Sequence, residues 1–404
     1  MNTRRTFLQQ MGMVGASLAG STKWLKAAEE AGIELPFENG SRVLKAFPGK
    51  RPLIVLTSRP PQLETPFEVF NGDILTPNDA FYVRYHLAGI PLSVDTESFR
   101  LKVKGSVKNE LSLSLKNLKE DFEQVETVAV AQCSGNSRGF MQPRVGGGQL
   151  ANGAMGNARW QGVRLKDLLE KAGISPESQQ VSFDGMDQAI IEQTPDFVKS
   201  LGIEQIMDGE VMVAHTMNGE DLPMLNGFPL RLVVPGYYAT YWIKHLHEIT
   251  VLEDEFEGFW MKSAYRIPET PNACLPPGQS PASTVPINRM NVRSFITSHL
   301  DGATVKKGEK LTIRGIAFDG GEGIKEVQFS PDGGRSWRTT MLGEDLGRYS
   351  FREWTVSYSP EMKGVSEWKV RAINRVGESQ PFDPLYNPSG YMRNVVETTK
   401  IKTA

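Results

Sequence analysis

A single cysteine, Cys133, follows an apolar run and precedes a turn-forming segment in the sequence VAVAQCSGNSRGF, residues 128–140. The glycines and the asparagine of this segment permit a sharp turn that would lift the thiol out of a sheet toward a ligand. Arg138 places a cation nearby, and a cation favours the thiolate, the form that acts as a nucleophile or binds a metal. Three roles are therefore open for Cys133: a catalytic nucleophile, the single thiolate ligand of a soft metal, or an inert small hydrophobe at a strand end.

The histidines and the second cysteine help to decide among the three roles of Cys133. A cysteine nucleophile needs a nearby base, and the five histidines fit no familiar cysteine-hydrolase signature: His86, His215, His245, His247 and His299. The other cysteine is Cys274, and the sequence has no C-x-x-C, C-x-x-C-H or histidine-rich spacing. The absence of these spacings argues against a covalently attached c-type haem, a cysteine-rich iron–sulfur cluster and a standard structural zinc site. The metal-ligand role for Cys133 is the better supported one.

The composition excludes several classes of protein. The chain has 404 residues, 39% of them hydrophobic and 23% charged, which is enough for two or three domains with substantial cores. A formal net charge of -2 gives no basic surplus for binding nucleic acid. No apolar run is long enough to span a bilayer, so stable membrane insertion is not expected. Small molecules and proteins remain as partners.

The N-terminus has the features of a targeting segment. Arg4 and Arg5 directly precede Thr6-Phe7-Leu8 and a mildly apolar stretch that is rich in glycine and alanine. This order is typical of a twin-arginine export signal, which we assign to residues 1–30; a basic, disordered terminus is the alternative. The signal predicts a periplasmic protein that is exported folded, and folded export suggests a cofactor inserted in the cytoplasm.

The rest of the chain divides into two patterns. Residues 31–270 begin with a proline-interrupted lead-in and continue with alternating strand and helix signals, among them FRLKVKGSV, QVETVAVAQC, VRLKDLLEKAG, QQVSFDG, EVMVAHTMNG and LRLVVPG. Residues 271–286 are rich in proline, serine and glycine and are predicted to be a linker. Residues 287–404 carry regularly spaced strand signals with a DGG hairpin turn, which indicates an all-β sandwich. We expect Trp337, Trp354 and Trp368 in its core. The predicted fold class is α+β.

Several segments together resemble the bacterial sulfite dehydrogenases of the sulfite oxidase family: TPNDAFYVRYH, CSGNSRGF, GAMGNARWQGVRLKDLLEKAG, NGFPLRLVVPGYYATYWIKHL, FWMKSAYRIP and YNPSGYMRN. The resemblance runs in order from about residue 67 to about residue 399. It implies a mixed α/β domain carrying a molybdenum–molybdopterin (pyranopterin dithiolene) cofactor. It also implies an immunoglobulin-like domain through which many members form homodimers.

Position by position, the resemblance implies roles for individual residues. Cys133 matches the protein ligand of molybdenum, in a soft sulfur environment completed by the dithiolene. Arg84 and Arg138 match the arginines of the anion pocket, where guanidinium groups suit an oxyanion. Tyr265 matches the active-site tyrosine.

The cofactor's phosphate end has its own matches. Arg231 and Lys244 match the residues that hold the phosphate, and His86 matches a contact to the pterin. Lys199 is a weaker candidate for the same cleft. We expect His245 and His247 to be ordinary strand or surface histidines.

Three positions depart from the family pattern. Leu150 stands where the vertebrate enzymes have a tryptophan, Ser389 where they have an arginine, and Asn226 where a histidine occurs. The departure at Ser389 predicts that the third cation of the anion pocket is missing or is supplied by another residue, and the departure at Asn226 predicts a different phosphate contact.

The implied reaction is the oxidation of sulfite to sulfate by oxygen-atom transfer. The sequence has no haem motif, so electrons are expected to pass to an external c-type cytochrome. The alternatives are an exported molybdopterin enzyme acting on a different sulfur oxyanion or a sulfoxide, and a non-enzymatic scaffold in which Cys133 is inert.

Overall fold

The described part of the chain, residues 32–404 of a computed structural model, begins with an antiparallel sheet. The predicted export signal at residues 1–30 lies outside the described residues. The five strands of this N-terminal sheet pair in chain order: β1 Gly32–Glu34, β2 Ser41–Phe47, β3 Lys50–Ser58, β4 Pro61–Glu64 and β5 Val83–Arg84. Pro48 and Pro60 lie in the turns, where their missing N–H costs no ladder hydrogen bond. The proline-rich stretch that the sequence indicates only as a lead-in is therefore a sheet.

A central α/β region follows, with ten strands and three short helices. Its strands are β6 Leu101–Gly105, β7 Leu111–Leu113, β8 Val125–Gln132, β9 Met155–Arg164, β10 Gln180–Gly185, β11 Lys199–Gly202, β12 Met212–Met217, β13 Glu220–Asp221, β14 Arg231–Val233 and β15 Leu246–Leu252. Its helices are α1 Leu115–Glu120, α2 Leu165–Ala172 and α3 Ile203–Met207. A fourth helix, α4 Phe259–Lys262, and a two-stranded ribbon, β16 Arg266–Pro268 with β17 Thr284–Pro286, lead out of this region.

The central strands form two sheets. One has the order β11-β10-β15-β6-β7 and is antiparallel except for the parallel pair of β15 with β6; the other has the order β13-β12-β9-β8, with β14 also paired to β12. The apolar face of α2, with Leu165, Leu168, Leu169 and Ala172, is buried, and Gly173 ends the helix in a left-handed conformation. In the second sheet β8 pairs with β9 from Val125 opposite Gly162 to Gln132 opposite Met155. This edge strand delivers the chain to Cys133.

The C-terminal part is a sandwich of two sheets. One sheet pairs β18 Arg293–Ile296, β20 Leu311–Phe318, β24 Arg352–Tyr358 and β23 Met341–Leu342 in that order. The other pairs β19 Thr304–Val305, β26 Thr398–Thr403, β25 Gly364–Asn374, β21 Ile324–Ser330 and β22 Arg338–Thr339. The predicted fold class, a mixed α/β region followed by an all-β sandwich, is confirmed, although helices are few.

The tryptophans of the sandwich divide into two groups. Trp354 and Trp368 are fully buried in its core, as the sequence predicts. Trp337 is only half-buried and packs against Phe382 and Arg371 at the surface, so its predicted place in the core is wrong. The indole follows the DGG turn immediately, and its Nε1 donates to the Gly334 carbonyl oxygen at 3.1 Å, which keeps it beside the turn.

The sandwich and the central region share one apolar core. Phe295, Phe318 and Phe351 of the sandwich belong to the same buried cluster as the strands of the central sheets. The Val130 amide of β8 also donates to the Tyr349 carbonyl oxygen at 2.9 Å. Burial of these rings stabilises the contact between the two parts as well as each part by itself. None of the helices within residues 32–404 combines the length and the hydropathy needed to cross a bilayer.

Candidate cofactor and substrate site

Two neighbouring cavities lie where the N-terminal sheet, the central sheets and the C-terminal segment meet. The inner cavity is lined by Cys133, Ser134, Arg231, Lys244 and others, and the outer cavity by Arg138, Trp260, Ser389, Tyr391 and others. Both are lined by Arg84, His86 and Tyr265. The structure therefore brings together all seven residues that the sequence singles out, in one site with two compartments.

The turn after β8 places Cys133 in the wall of the inner cavity. The thiol residue is buried, and its amide donates to the Ala154 carbonyl oxygen at 2.9 Å. The residue in the left-handed conformation is Ser137, with φ of 70°, rather than one of the glycines that the sequence indicates. The glycines supply space instead, because a Cβ on Gly135 would lie 2.8 Å from the Arg138 guanidinium carbon. The predicted turn is present, with a different residue carrying its unusual backbone geometry.

Arg138 enters the outer cavity, whereas Cys133 lines the inner one. The Arg138 Nε donates to the Ser389 carbonyl oxygen at 3.1 Å, and Nη1 donates to the Gly148 carbonyl oxygen at 3.3 Å. The guanidinium also lies over the Tyr391 ring, 4.9 Å from its centroid. A guanidinium has five N–H groups, so these bonds fix its position and leave donors for an anion.

His86 and Tyr265 form the partition between the two cavities. His86 stacks on Phe197 with ring centroids 3.8 Å apart, and its Nε2 is hydrogen-bonded to the Tyr265 hydroxyl. Burial, with help from the nearby Arg84 charge, holds the pKa of His86 well below its usual value, so the imidazole is neutral. Burial raises the pKa of Tyr265, so the phenol keeps its proton at neutral pH and can donate a hydrogen bond.

The inner cavity ends in two cations on adjacent strand segments. Arg231 and Lys244 face each other across an antiparallel bridge. Burial is the main cause that lowers the pKa of Lys244 to about 7, and the Arg231 charge adds to it, whereas Asp187 acts in the opposite direction. An anion bound between these two cations stabilises both of them, because its charge reduces their mutual repulsion and offsets the cost of burying them.

Unpartnered polar atoms test whether a phosphorylated cofactor fits this cavity. Ser134 Oγ, Arg231 Nε and Thr240 Oγ1 are buried, belong to lining residues and have no hydrogen-bond partner in the structure. Buried polar atoms without partners are uncommon and often mark a ligand. Among residues 32–404 no three His, Cys, Asp or Glu side chains converge on a metal position, so a metal here needs most of its ligands from a cofactor. A thiolate at one end and cations at the other fit a sulfur-chelated metal with a phosphate tail.

Lys199 and His245 lie behind the cavity wall rather than in it. Lys199 is fully buried, and its Nζ donates to the Trp260 carbonyl oxygen at 2.6 Å and lies over the Tyr241 ring. His245 is also fully buried, which corrects the expectation of an ordinary strand or surface histidine. Its Nδ1 bonds the Phe228 carbonyl oxygen at 2.6 Å and must donate, so Nε2 accepts the Tyr85 hydroxyl hydrogen at 2.6 Å. His247, in β15, is half-buried.

Two buried charges of the N-terminal sheet also support the site, and sequence reasoning missed both. Glu64 accepts the amides of Ala151 and Gly153 at 3.0 and 3.1 Å, which holds the segment that packs on the cysteine turn. Lys50 donates to Asn226, which lines the inner cavity. No local signal distinguishes these residues, because the groups that they contact lie far away in sequence.

The three departures from the family pattern have different surroundings. Ser389 lines the outer cavity beside Arg138, so no third cation is supplied from that position. Leu150 is buried in the apolar core. Asn226 is buried in the wall of the inner cavity, at the end where Arg231 lies.

Comparisons with known proteins agree with this geometry. A family model described as the oxidoreductase molybdopterin binding domain matches residues 86–260, and one described as the Mo-co oxidoreductase dimerisation domain matches residues 284–404. The sulfite oxidase of Gallus gallus is 33% identical over 360 residues, covering 85% of this chain and 76% of the relative. The mitochondrial sulfite oxidase of Homo sapiens is 32% identical over 373 residues, covering 86% of this chain. The chain spans 65% of the length of that human relative.

A solved structure gives a similar result. The sulfane dehydrogenase SoxCD from Paracoccus pantotrophus matches with a TM-score of 0.71 at 25% sequence identity. The match covers 86% of this chain and 85% of the matched chain. The likeness therefore includes the central region and the sandwich together.

Proposed function

The chain belongs to the sulfite oxidase family of molybdopterin-dependent oxidoreductases, and on that premise we propose that it oxidises sulfite to sulfate and passes the electrons to an external c-type cytochrome. The observation that carries this proposal is the division of the site. Cys133, Arg231 and Lys244 line an inner cavity suited to the cofactor, and Arg84, His86 and Tyr265 line both that cavity and the open one outside it.

Each end of the inner cavity has a distinct task. Cys133 supplies the protein's sulfur ligand to molybdenum, and Arg231 and Lys244 hold the phosphate. Ser134 and Thr240 offer the cofactor additional hydroxyl groups. When bound, the molybdenum cofactor supplies two-electron oxygen-atom transfer chemistry.

The outer cavity binds and orients the anion. Arg84 and Arg138 hold the substrate oxygens through charge-assisted hydrogen bonds. Tyr265 keeps its proton and donates a hydrogen bond toward the reacting oxygen. His86, neutral and stacked on Phe197, holds the tyrosine hydroxyl in place.

A related substrate is the second candidate, a different sulfur oxyanion or a sulfoxide. It is favoured by Ser389, which leaves the outer cavity with two arginines. The name of the structural relative, a sulfane dehydrogenase, is in keeping with a wider range of sulfur substrates.

The test begins with molybdenum analysis of the purified protein. On the same sample, sulfite-dependent reduction of ferricyanide and of cytochrome c is measured. Near-stoichiometric molybdenum with sulfite turnover supports the proposal. Molybdenum without sulfite turnover favours the second candidate, and folded protein without molybdenum from a cofactor-competent host contradicts both.

The cellular setting is part of the proposal. We propose export to the periplasm by the twin-arginine route, supported by Arg4 and Arg5 before an apolar stretch. Replacing both arginines with lysine should leave the protein in the cytoplasm, which fractionation measures. The dimerisation-domain match over residues 284–404 supports a homodimer. Sedimentation of the purified protein tests that state.

A further inference from the structure

Lys50 is a buried lysine whose ammonium group contacts only uncharged oxygens. It begins β3 and is 6% exposed. Its Nζ donates to the Asn78 carbonyl oxygen at 2.5 Å, to the Phe81 carbonyl oxygen at 3.0 Å and to Asn226 Oδ1. All three N–H groups of the ammonium are therefore used, and none of the acceptors is a carboxylate.

Burying a cation among neutral acceptors costs free energy, unless a nearby anion is stabilised by its charge. Burial lowers the pKa of Lys50 to about 7, and the nearby Arg231 charge acts in the same direction. Asp79 raises the pKa, but its carboxylate is already paired with Arg51 at 2.6 Å. Lys50 thus adds positive charge to the end of the cavity that already holds Arg231.

The contact also fixes the orientation of the Asn226 side chain. An ammonium can only donate and a carbonyl can only accept, so Asn226 must turn Oδ1 to Lys50 and Nδ2 to the Tyr82 carbonyl oxygen, 3.1 Å away. The backbone oxygen of Asn226 accepts from Arg231 Nη1 at 3.1 Å. Within residues 32–404 the second N–H of the amide has no hydrogen-bond partner, and Asn226 lines the inner cavity. The cavity therefore gains a donor at this position.

We infer that Lys50 is a positioning residue for the phosphate end of the cofactor, acting through Asn226. It fixes the amide as an N–H donor, polarises it, and places a positive charge directly behind it. This inference rests on the proposed function, because it assumes a phosphorylated cofactor in the inner cavity. It adds β3 to the binding site beside Arg84 of β5, and both strands lie before residue 86, where the family model begins.

The experiment compares wild-type protein with the variants Lys50→Met, Asn226→Ala and the double variant, each prepared with the cofactor and from a host that cannot make it. Molybdenum content, the rate of molybdenum release and the difference in Tm between loaded and empty protein are measured. We expect release to be about 10-fold to 100-fold faster in each single variant. The double variant should lose no more than either single variant, because the two residues act in series. Lys325→Met, at an exposed lysine in β21 of the sandwich, is the matched control and should match wild type.

A fourth variant separates cofactor binding from fold stability. Asn226→Asp gives Lys50 a carboxylate partner but loses the hydrogen bond to Tyr82, so the Tm of the empty protein should fall less than in Asn226→Ala. Cofactor retention should still fall, because an anion replaces an N–H donor. This variant also decides the question where Lys50→Met does not fold. Equal losses of Tm in loaded and empty protein, additive effects in the double variant, or normal retention by Asn226→Asp would each overturn the inference. Wild-type protein without molybdenum would instead overturn the proposed function.

Discussion

Arg293 of the sandwich donates hydrogen bonds from both terminal guanidinium nitrogens to the Ser137 hydroxyl oxygen, at 3.0 and 3.1 Å. Arg293 is fully buried and is also paired with Glu397 at 3.1 Å. Ser137 is the left-handed residue of the cysteine turn, one position before Arg138. The C-terminal part of the chain thus holds the turn that carries both the thiol and an anion-binding arginine.

Replacing Ser137 with alanine should weaken both the fold and the substrate site. The change leaves two buried N–H groups of Arg293 without this acceptor, which costs about 1–3 kcal/mol of the free energy of unfolding. It also loosens the turn before Arg138, so KM for sulfite should rise. Urea unfolding and steady-state kinetics measure the two effects. The exposed Ser357→Ala variant is the control, and equal behaviour of the two variants would contradict the prediction.

Replacing Cys133 with serine should abolish turnover and leave the fold intact. A hydroxyl occupies nearly the same volume but is a poor ligand for a soft metal. Activity should fall by more than about 100-fold, since changes to residues that only support a metal ligand already cost 10-fold to 100-fold. Circular dichroism checks the fold, and Cys274→Ser, at a half-buried position, should retain activity. Normal turnover by Cys133→Ser would disprove its role as a ligand.

Replacing Arg138 with glutamine should raise the apparent KM for sulfite. A hydrogen bond to a charged group contributes about 1.5–3 kcal/mol, which corresponds to an increase of about 10-fold to 150-fold. The control is Arg144→Gln, six positions along, whose side chain is 42% exposed and lies near Glu38. Sulfite kinetics of Arg138→Gln that match wild type would show that Arg84 suffices.

The stability of the empty protein should rise with pH between about 7 and 10.5. Burial lowers the pKa values of Lys50, Lys199 and Lys244 to about 7 in the folded protein, against an ordinary value of 10.5. In this window the unfolded chain binds protons that the folded chain has released, so the free energy of unfolding increases with pH. Urea unfolding at pH 7, 8 and 9 measures the slope, and Lys244→Met should reduce it.

The same lysines give a second pH effect, of opposite sign, on anion binding. An anion in the inner cavity favours the charged lysines, so binding takes up protons. Pyrophosphate should therefore bind the empty protein more tightly at pH 6.5 than at pH 8.5. Calorimetry in two buffers of different ionisation enthalpy measures the proton uptake. Binding that is independent of pH would contradict the placement of Lys244 at the phosphate end.

Much of the fold follows from local pattern. The strand β8 was predictable because its sequence contains a continuous apolar run. The helix α2 was predictable because its apolar residues recur at helical spacing over two turns. The hairpin after β21 was predictable because Gly333 and Gly334 adopt the positive φ that its turn requires. The N-terminal sheet was not predictable because four prolines lie within residues 48–61: Pro48 and Pro60 are in turns, Pro52 is within β3 and Pro61 begins β4.

The candidate site was predictable wherever a residue has a recognisable motif of its own. Cys133, Arg138 and Tyr265 each lie in such a motif, and the structure brings them to one pair of cavities. Lys50 and Glu64 were not predictable, because their partners lie far away in sequence: Lys50 meets Asn226 across 176 positions, and Glu64 meets Ala151 across 87. A lysine next to Arg51 has the pattern of an exposed pair, and only the tertiary fold buries it.

The N-terminal sheet has a practical consequence for anyone who shortens this protein. A fragment that starts at residue 86 would contain the whole of both matched family regions. It would nevertheless lack Arg84, the carboxylate of Glu64 behind the cysteine turn, and the ammonium of Lys50 behind the cofactor cavity. The smallest unit able to keep its cofactor is therefore longer than the sequence matches suggest, and its N-terminal boundary lies before β3.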